Sequence, residues 1–306
     1  MTVGVVILVG GLLGAFASLA FWAKRRLDEM SVKQKKRLVK KNINGIFIWF
    51  ENRGLLARTA AFDHDYLHTY PRLRLLEDNY PAIRQECLEL LRIKDRFTDM
   101  KALGGAYTQA GIHTIRWKTF MFKSGTFIES NCRLAPKTAE VLRRIPGLYT
   151  AFFSVLEPRQ HITPHWGYYK GFLRYHLGVI IPNDNAGGEC YLRVNGDPAD
   201  NARRDPSLVE KGEVYYWKNG KGIVFDDNHL HDAANNSDEI RVVMWIDLRR
   251  KMPFYLQLFN MLCLALVERD GSVRKIRESA VVDVAGSAAA ALPAVGSTSE
   301  NREVSI

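Results

Sequence analysis

From Thr150 onward the chain is cut into short apolar runs by turn-forming residues: Asn183-Asp184-Asn185, Gly187-Gly188, Asn195-Gly196-Asp197 and Asn219-Gly220. The runs at 150–156, 172–181, 189–194, 213–217, 221–225 and 240–248 are rich in β-branched and aromatic residues and short enough to read as strands. Six or more such strands at close spacing predict antiparallel sheets packed as a sandwich or jelly roll, with helices covering one sheet. Those helices are expected upstream. Tyr80–Leu91 follows a helical period (Ile83, Cys87, Leu88, Leu90, Leu91) behind Pro81, and 136–145 carries Pro136 in its first turn with Gly147 just beyond its end. Residues 98–115 are glycine-rich and irregular, and the polar stretch 197–211 reads as a surface insertion between strands.

Alternate residues of a strand face the same way. In 240–248 one face holds Ile240, Val242, Met244, Ile246 and Leu248; the other holds Arg241, Val243, Trp245 and Asp247. A guanidinium beside valine and tryptophan needs a partner: either a ligand carboxylate held bidentately, or an ion pair with Asp226 or Asp227. In 172–181, Arg174, His176, Gly178 and Ile180 share a face, so a second set of donors points one way. His165 in Pro-His-Trp-Gly and the His229/His231 pair in Phe-Asp-Asp-Asn-His-Leu-His complete the constellation. Taken singly, each histidine reads more readily as a satisfied structural residue than as a metal ligand.

Together these segments resemble the aspartyl/asparaginyl β-hydroxylase family of iron(II)/2-oxoglutarate dioxygenases, which includes the bacterial lipid A 2-hydroxylases. The resemblance runs from about Arg116 to Pro253. It includes Arg-Trp-Lys-Thr-Phe at 116–120, Asn-Cys-Arg-Leu-Ala-Pro-Lys-Thr at 131–138 and Ala-Phe-Phe-Ser-Val-Leu-Glu-Pro at 151–158. Tyr-Lys-Gly-Phe-Leu-Arg-Tyr-His-Leu-Gly at 169–178 and Gly-Ile-Val-Phe-Asp-Asp at 222–227 continue it. The resemblance implies a double-stranded β-helix (jelly roll) that binds Fe(II), 2-oxoglutarate and O2. It assigns the iron to His165 and His231 without a carboxylate ligand, Gly167 standing where other dioxygenases carry Asp or Glu. It assigns 2-oxoglutarate contacts to Ser154 and His176, a cosubstrate or substrate carboxylate to Arg174, and the cosubstrate arginine to Arg241, ten residues past His231. His229 is the alternative ligand to His231. Trp166 departs from the Arg or Thr found in many relatives.

The N-terminus bears on location. Met1–Ala23 has no charged residue and as a helix would cover about 34 Å, enough for a hydrocarbon core of roughly 30 Å. Ala15-Phe16-Ala17 faintly resembles a cleavage site, but no basic n-region precedes the long apolar run. Nine Lys/Arg against Asp28 and Glu29 follow within 24–41, which places the remainder on the cytoplasmic side of a single-pass anchor; in a bacterium that is the inner membrane. The formal net charge of +10 is concentrated there, so nucleic acid is not an expected partner. Cys87, Cys132, Cys190 and Cys263 are irregularly spaced, suiting a reducing compartment.

The expected order is an anchor at 1–23, a basic juxtamembrane segment at 24–41, a helical and irregular part of the catalytic domain at 42–149 and a jelly-roll core at 150–252. An interfacial or domain-packed helix at 253–278 and a disordered tail at 279–306 follow. The family resemblance and the cytoplasmic placement together imply hydroxylation of a membrane-lipid acyl chain, lipid A first and an aminolipid next. A peptidyl aspartyl/asparaginyl hydroxylase and a non-enzymatic metal-binding jelly roll are the alternatives.

Overall fold

The computed structural model describes residues 31–103, 115–269 and 271–283; the expected anchor over 1–23 and the tail from 284 lie outside these. Among the described residues no helix is long and apolar enough to cross a membrane. The architecture is mainly antiparallel β-sheet with flanking helices.

The larger sheet runs in the order β1 (Phe62–Asp63), β10 (Gly222–Phe225), β7 (Phe172–Ile180), β12 (Arg241–Arg249), β5 (Leu148–Leu156), β3 (Trp117–Ser124) and β2 (Thr98–Asp99), with β4 (Thr126–Phe127) paired to β3. The smaller runs β6 (Gln160–His165), β11 (Leu230–Asn235), β8 (Cys190–Asn195) and β9 (Glu213–Tyr216). From β5 to β12 the chain passes repeatedly from one sheet to the other.

The larger sheet is buried on both faces, which is why its strands read as nearly continuous apolar runs. Its outer face (Val242, Met244, Ile246, Leu248, Tyr175, Leu177) packs on the helices α2 (Tyr80–Leu91) and α3 (Pro136–Arg143). Helix α2 places Ile83, Cys87 and Leu90 there; each fully buried aliphatic side chain contributes about 1.5–3 kcal/mol. The inner face (Phe152, Val243, Trp245, Ile223, Phe225) meets Ile162, Leu192, Val194 and Ala233 of the smaller sheet.

A third cluster ties α1 (Val32–Asn52) to α4 (Phe254–Arg269) through Phe47, Leu56 and Leu256. Ionic contacts then lock α1 to the sheets: Glu51 bonds Arg250 (2.8 Å) and Lys170 (3.0 Å), and Lys170 reaches on to Asp226 (3.2 Å).

Some elements differ from expectation. Strands β3, β6 and β11, with the two-residue strands β1, β2 and β4, are additional to the six expected runs. The 197–211 insertion is ordered by a helical turn over Pro198–Arg203 and a 3-10 turn over Pro206–Lys211, capped by Asp197 and Asp205. The start of the expected disordered tail is packed: Ala280 and Val282 are buried, and Asn131 bonds the backbone of both. The segment 253–278 forms two helices, α4 and α5 (Ser272–Ser279).

Candidate active site

The cleft lies between the sheets. His165 ends β6 and His231 sits second in β11, and the two are register partners across the antiparallel ladder. Their ring centroids are 4.2 Å apart. Each ring turns Nδ1 to a backbone carbonyl two residues back, His165 to Thr163 and His231 to His229, both at 2.8 Å. This leaves Nε2 of each as the nitrogen available to a ligand. Burial pushes the His165 imidazole down to about 4. Burial, with the His165 ring beside it, holds His231 well below the usual histidine range. Two adjacent neutral imidazoles with fixed tautomers are suited to binding a transition metal.

Opposite them, the inner face of the larger sheet presents Ser154 from β5, Arg174 and His176 from β7, and Arg241 from β12. Register sets these in rows: Val243 pairs with Ser154, Trp245 with His176, and Asp247 with Arg174. All six residues assigned by the resemblance line this one cleft, with Trp117, Trp217, Phe225 and Trp245 among its walls.

Arg241 is 2% exposed, its guanidinium lies 4.4 Å from the Trp217 ring centroid, and its Nε is buried with no hydrogen-bond partner. Burial pushes it down to about 10. The ion-pair alternative fails, because Asp226 is paired with Lys170 and Asp227 with Arg174. Both ring nitrogens of His176 are likewise buried without partners, in a box of Trp217, Phe225 and Trp245 rings. Burial first, then the positive charges of Arg174 and Arg241, keep that ring neutral. Ser154 Oγ accepts from Trp117 Nε1 at 2.8 Å, so the hydroxyl proton can be donated elsewhere. Orphaned buried donors carry a desolvation cost that a ligand carboxylate would remove. A planar carboxylate between Arg241 and His176 fits this donor set.

Arg174 is committed differently. It lies over the Trp245 ring at 3.8 Å and pairs with Asp247 at 3.0 Å and Asp227 at 2.9 Å, so its fork is already shared between two carboxylates. His229 is not a ligand alternative. Its Nε2 sits 3.2 Å from the Thr59 carbonyl and 3.9 Å from Asp226, outside the cleft lining.

Two residues beyond the expected set shape the site. Asp227 receives the Gly167 N–H on its carbonyl at 2.6 Å, and a Cβ on Gly167 would lie 2.3 Å from its Oδ2. Asn201, in the 197–211 insertion, accepts through one oxygen from Trp166 Nε1 (3.0 Å) and Leu230 N (2.7 Å), and donates to the carbonyls of Asn195 and Asp197. One amide thus ties down the residues next to both cleft histidines, and it gives Trp166 a positioning contact. Nothing in the local sequence marks Asn201 beyond its place in a polar insertion.

The sequence profile of the Aspartyl/Asparaginyl beta-hydroxylase family matches residues 77–251. The chain is 36% identical over 187 residues to the Ornithine lipid ester-linked acyl 2-hydroxylase of Rhizobium tropici, covering 58% of this chain and 57% of that protein. It is 30% identical over 186 residues to the Aspartate beta-hydroxylase domain-containing protein 2 of Mus musculus, covering 58% and 47%. It is 26% identical over 138 residues to the Aspartyl/asparaginyl beta-hydroxylase of Homo sapiens, covering 43% and 16%. The chain therefore spans little more than half the length of the first of these relatives and less of the others.

Proposed function

Since the chain belongs to the aspartyl/asparaginyl β-hydroxylase family, we propose that it is an Fe(II)- and 2-oxoglutarate-dependent dioxygenase that hydroxylates an acyl chain of a membrane lipid. One observation carries the reading. Two neutral imidazoles with Nε2 available face, across a single cleft, a buried guanidinium nitrogen and a buried imidazole that lack partners. The passage of the chain between its two sheets is taken as the double-stranded β-helix.

His165 and His231 would hold the metal through Nε2, their backbone-bonded Nδ1 atoms fixing ring orientation. Arg241 would grip the distal carboxylate of 2-oxoglutarate bidentately over Trp217, with His176 and the Ser154 hydroxyl as further donors. Fe(II) with 2-oxoglutarate and O2 supplies the chemistry that places oxygen on an unactivated C–H bond. Trp117, Trp217 and Trp245 exclude water from the cleft, and Asn201 keeps the two histidine segments at their spacing. Arg174, paired with Asp227 and Asp247, would hold the carboxylate of Asp227 against Gly167 rather than meet the cosubstrate directly.

The acyl chain is supported by the name of the Rhizobium relative, which makes an ornithine-type aminolipid the first substrate to test and lipid A the second. An uncharged 1–23 followed by nine basic residues supports an anchored, cytoplasm-facing enzyme, in a bacterium at the inner membrane. The test uses the full chain with Fe(II), 2-oxoglutarate and O2 on vesicles carrying ornithine lipid or lipid A. Mass spectrometry should find one added oxygen on a fatty acyl group, matched by succinate. Unchanged lipids, with succinate release driven by an aspartyl or asparaginyl peptide, would move the substrate to protein.

A further inference from the structure

Helix α4 is apolar on two sides. One side (Leu256, Asn260, Cys263, Leu264) is buried on the domain. The other repeats every four residues and is open: Phe254 is 82% exposed, Leu258 59%, Leu262 62% and Leu266 59%. Beside it on α1, Ile46 and Trp49 stand 38% and 48% exposed along a groove that passes Gly45. The two helices are one unit, joined where Phe47 meets Phe259 and Phe50 meets Tyr255. A continuous open stripe of large apolar side chains is costly in water and marks a surface that is covered in use.

We infer that α4 and the C-terminal half of α1 form a bilayer-docking face, seated at the headgroup–acyl boundary of an anionic membrane. Charge decides for lipid over a second copy of the chain. Residues 252–267 contain no charged residue; Lys251 precedes them, and Glu268, Arg269 and Asp270 follow in sequence before exposed Arg274 and Lys275 on α5. Arg53 lies over the Trp49 ring at 4.8 Å, at the edge of the stripe. The first turns of α1 carry Lys33, Lys35, Lys36, Arg37, Lys40 and Lys41 in sequence, and Lys24, Arg25 and Arg26 precede these next to the uncharged 1–23. An apolar stripe shared by two helices, one of which begins in a cluster of basic residues, has the chemistry of an interfacial helix pair, and two copies alike in that cluster would repel one another.

The same two helices hold a segment next to the cleft. The loop after His165 is bonded to both helices: Asn44 donates to the Tyr168 carbonyl and accepts from Lys170 N, Tyr169 donates to Asn260 Oδ1 at 2.6 Å, and Asn260 donates to the Gly171 carbonyl. Docking these helices would therefore set the His165 edge of the cleft at the membrane surface. That consequence rests on the lipid reading above; the docking does not.

The test places nitroxide labels at Leu258→Cys and Leu262→Cys in the full chain, with Val214→Cys on the smaller sheet as reference; the four native cysteines are buried. In vesicles of phosphatidylethanolamine and phosphatidylglycerol, labels at 258 and 262 should collide with oxygen severalfold more than with a water-soluble nickel chelate, as expected about 5–10 Å into the interface. The label at 214 should show the reverse. Accessibility at 258 and 262 equal to that at 214 would overturn the proposal. Protection from both reagents with dipolar broadening between labels would also overturn it, in favour of a second copy. Lipid-buried labels with no lipid product would leave the docking in place and remove the proposed reaction.

Discussion

Asp227 fills the space that a side chain on Gly167 would need, with its Oδ2 2.3 Å and its carbonyl oxygen 2.5 Å from an ideal Cβ at that position. Two residues after His165, no carboxylate can be added without expelling one already present. Gly167→Asp would therefore not complete a three-ligand site. Both Gly167→Asp and Gly167→Ala should lower stability by about 1–3 kcal/mol, the usual cost of overpacking, and should loosen the Asp227–Arg174 pair. Denaturant melts check the first effect, and Mn(II) titration should show weaker metal binding in Gly167→Asp. Tighter binding in that variant would mean that Asp227 yields easily.

Arg241 separates stability from function. Its guanidinium is buried with Nε unpartnered, so Arg241→Leu should stabilise the metal-free protein by about 1–2 kcal/mol, raising Tm by roughly 2–8 °C. Arg241→Lys keeps charge but loses the fork, and should raise KM for 2-oxoglutarate roughly ten- to a hundredfold, at about 1.4 kcal/mol per factor of ten. Fe(II) affinity should change little. A lower Tm in Arg241→Leu with unchanged KM in Arg241→Lys would make the arginine a structural residue.

Asn201 acts through its neighbours. Asn201→Ala removes the acceptor shared by Trp166 and Leu230 and should weaken Fe(II) or Mn(II) binding about 10–100-fold, as losses of supporting groups around metal ligands do. Trp166→Phe removes only the indole donor and should give a smaller loss in the same direction. Calorimetric titration measures both, and a fall in Tm with unaltered metal affinity would reduce Asn201 to a loop staple.

Acid should destabilise the metal-free protein earlier than its carboxylates alone require. Burial holds His165, His176 and His231 below the usual value of about 6.5. The unfolded chain thus takes up protons that the fold refuses, so stability present above about pH 6.5 is lost as pH falls toward the His165 value of about 4, and further for the other two. Tm measured in chelator across this window should drop, and His165→Gln should flatten the slope by up to about 1.4 kcal/mol per pH unit. A profile unchanged by that substitution would mean that the ring is already charged in the fold.

The larger sheet was legible because both of its faces are buried: the split of 240–248 into an outer row led by Val242 and an inner row led by Arg241 follows from period two alone. The strands that carry His165 and His231 were not. Gln-His-Ile-Thr-Pro-His and Leu-His-Asp-Ala-Ala-Asn lack the apolar run that announces a strand, because their side chains form the cleft and its ion pairs. His161 and Arg193 both bond Asp232, so polar residues there stabilise pairing between strands. His165 and His231 are legible only in the motifs that resemble the family's. Asn201 and the Asp227–Gly167 contact depend on chain segments far apart in sequence, and local pattern holds no trace of them.

The central claim, one cleft binding metal through His165 and His231 and a 2-oxo acid through Arg241, is tested most directly by anaerobic titration of the Fe(II)-loaded full chain with 2-oxoglutarate, followed by visible charge-transfer absorption. Wild type should develop the band and saturate, His165→Ala should show none, and Arg241→Leu should show none at concentrations that saturate wild type. Absence of the band in wild type, or an Arg241→Leu titration with the wild-type midpoint, would contradict the claim.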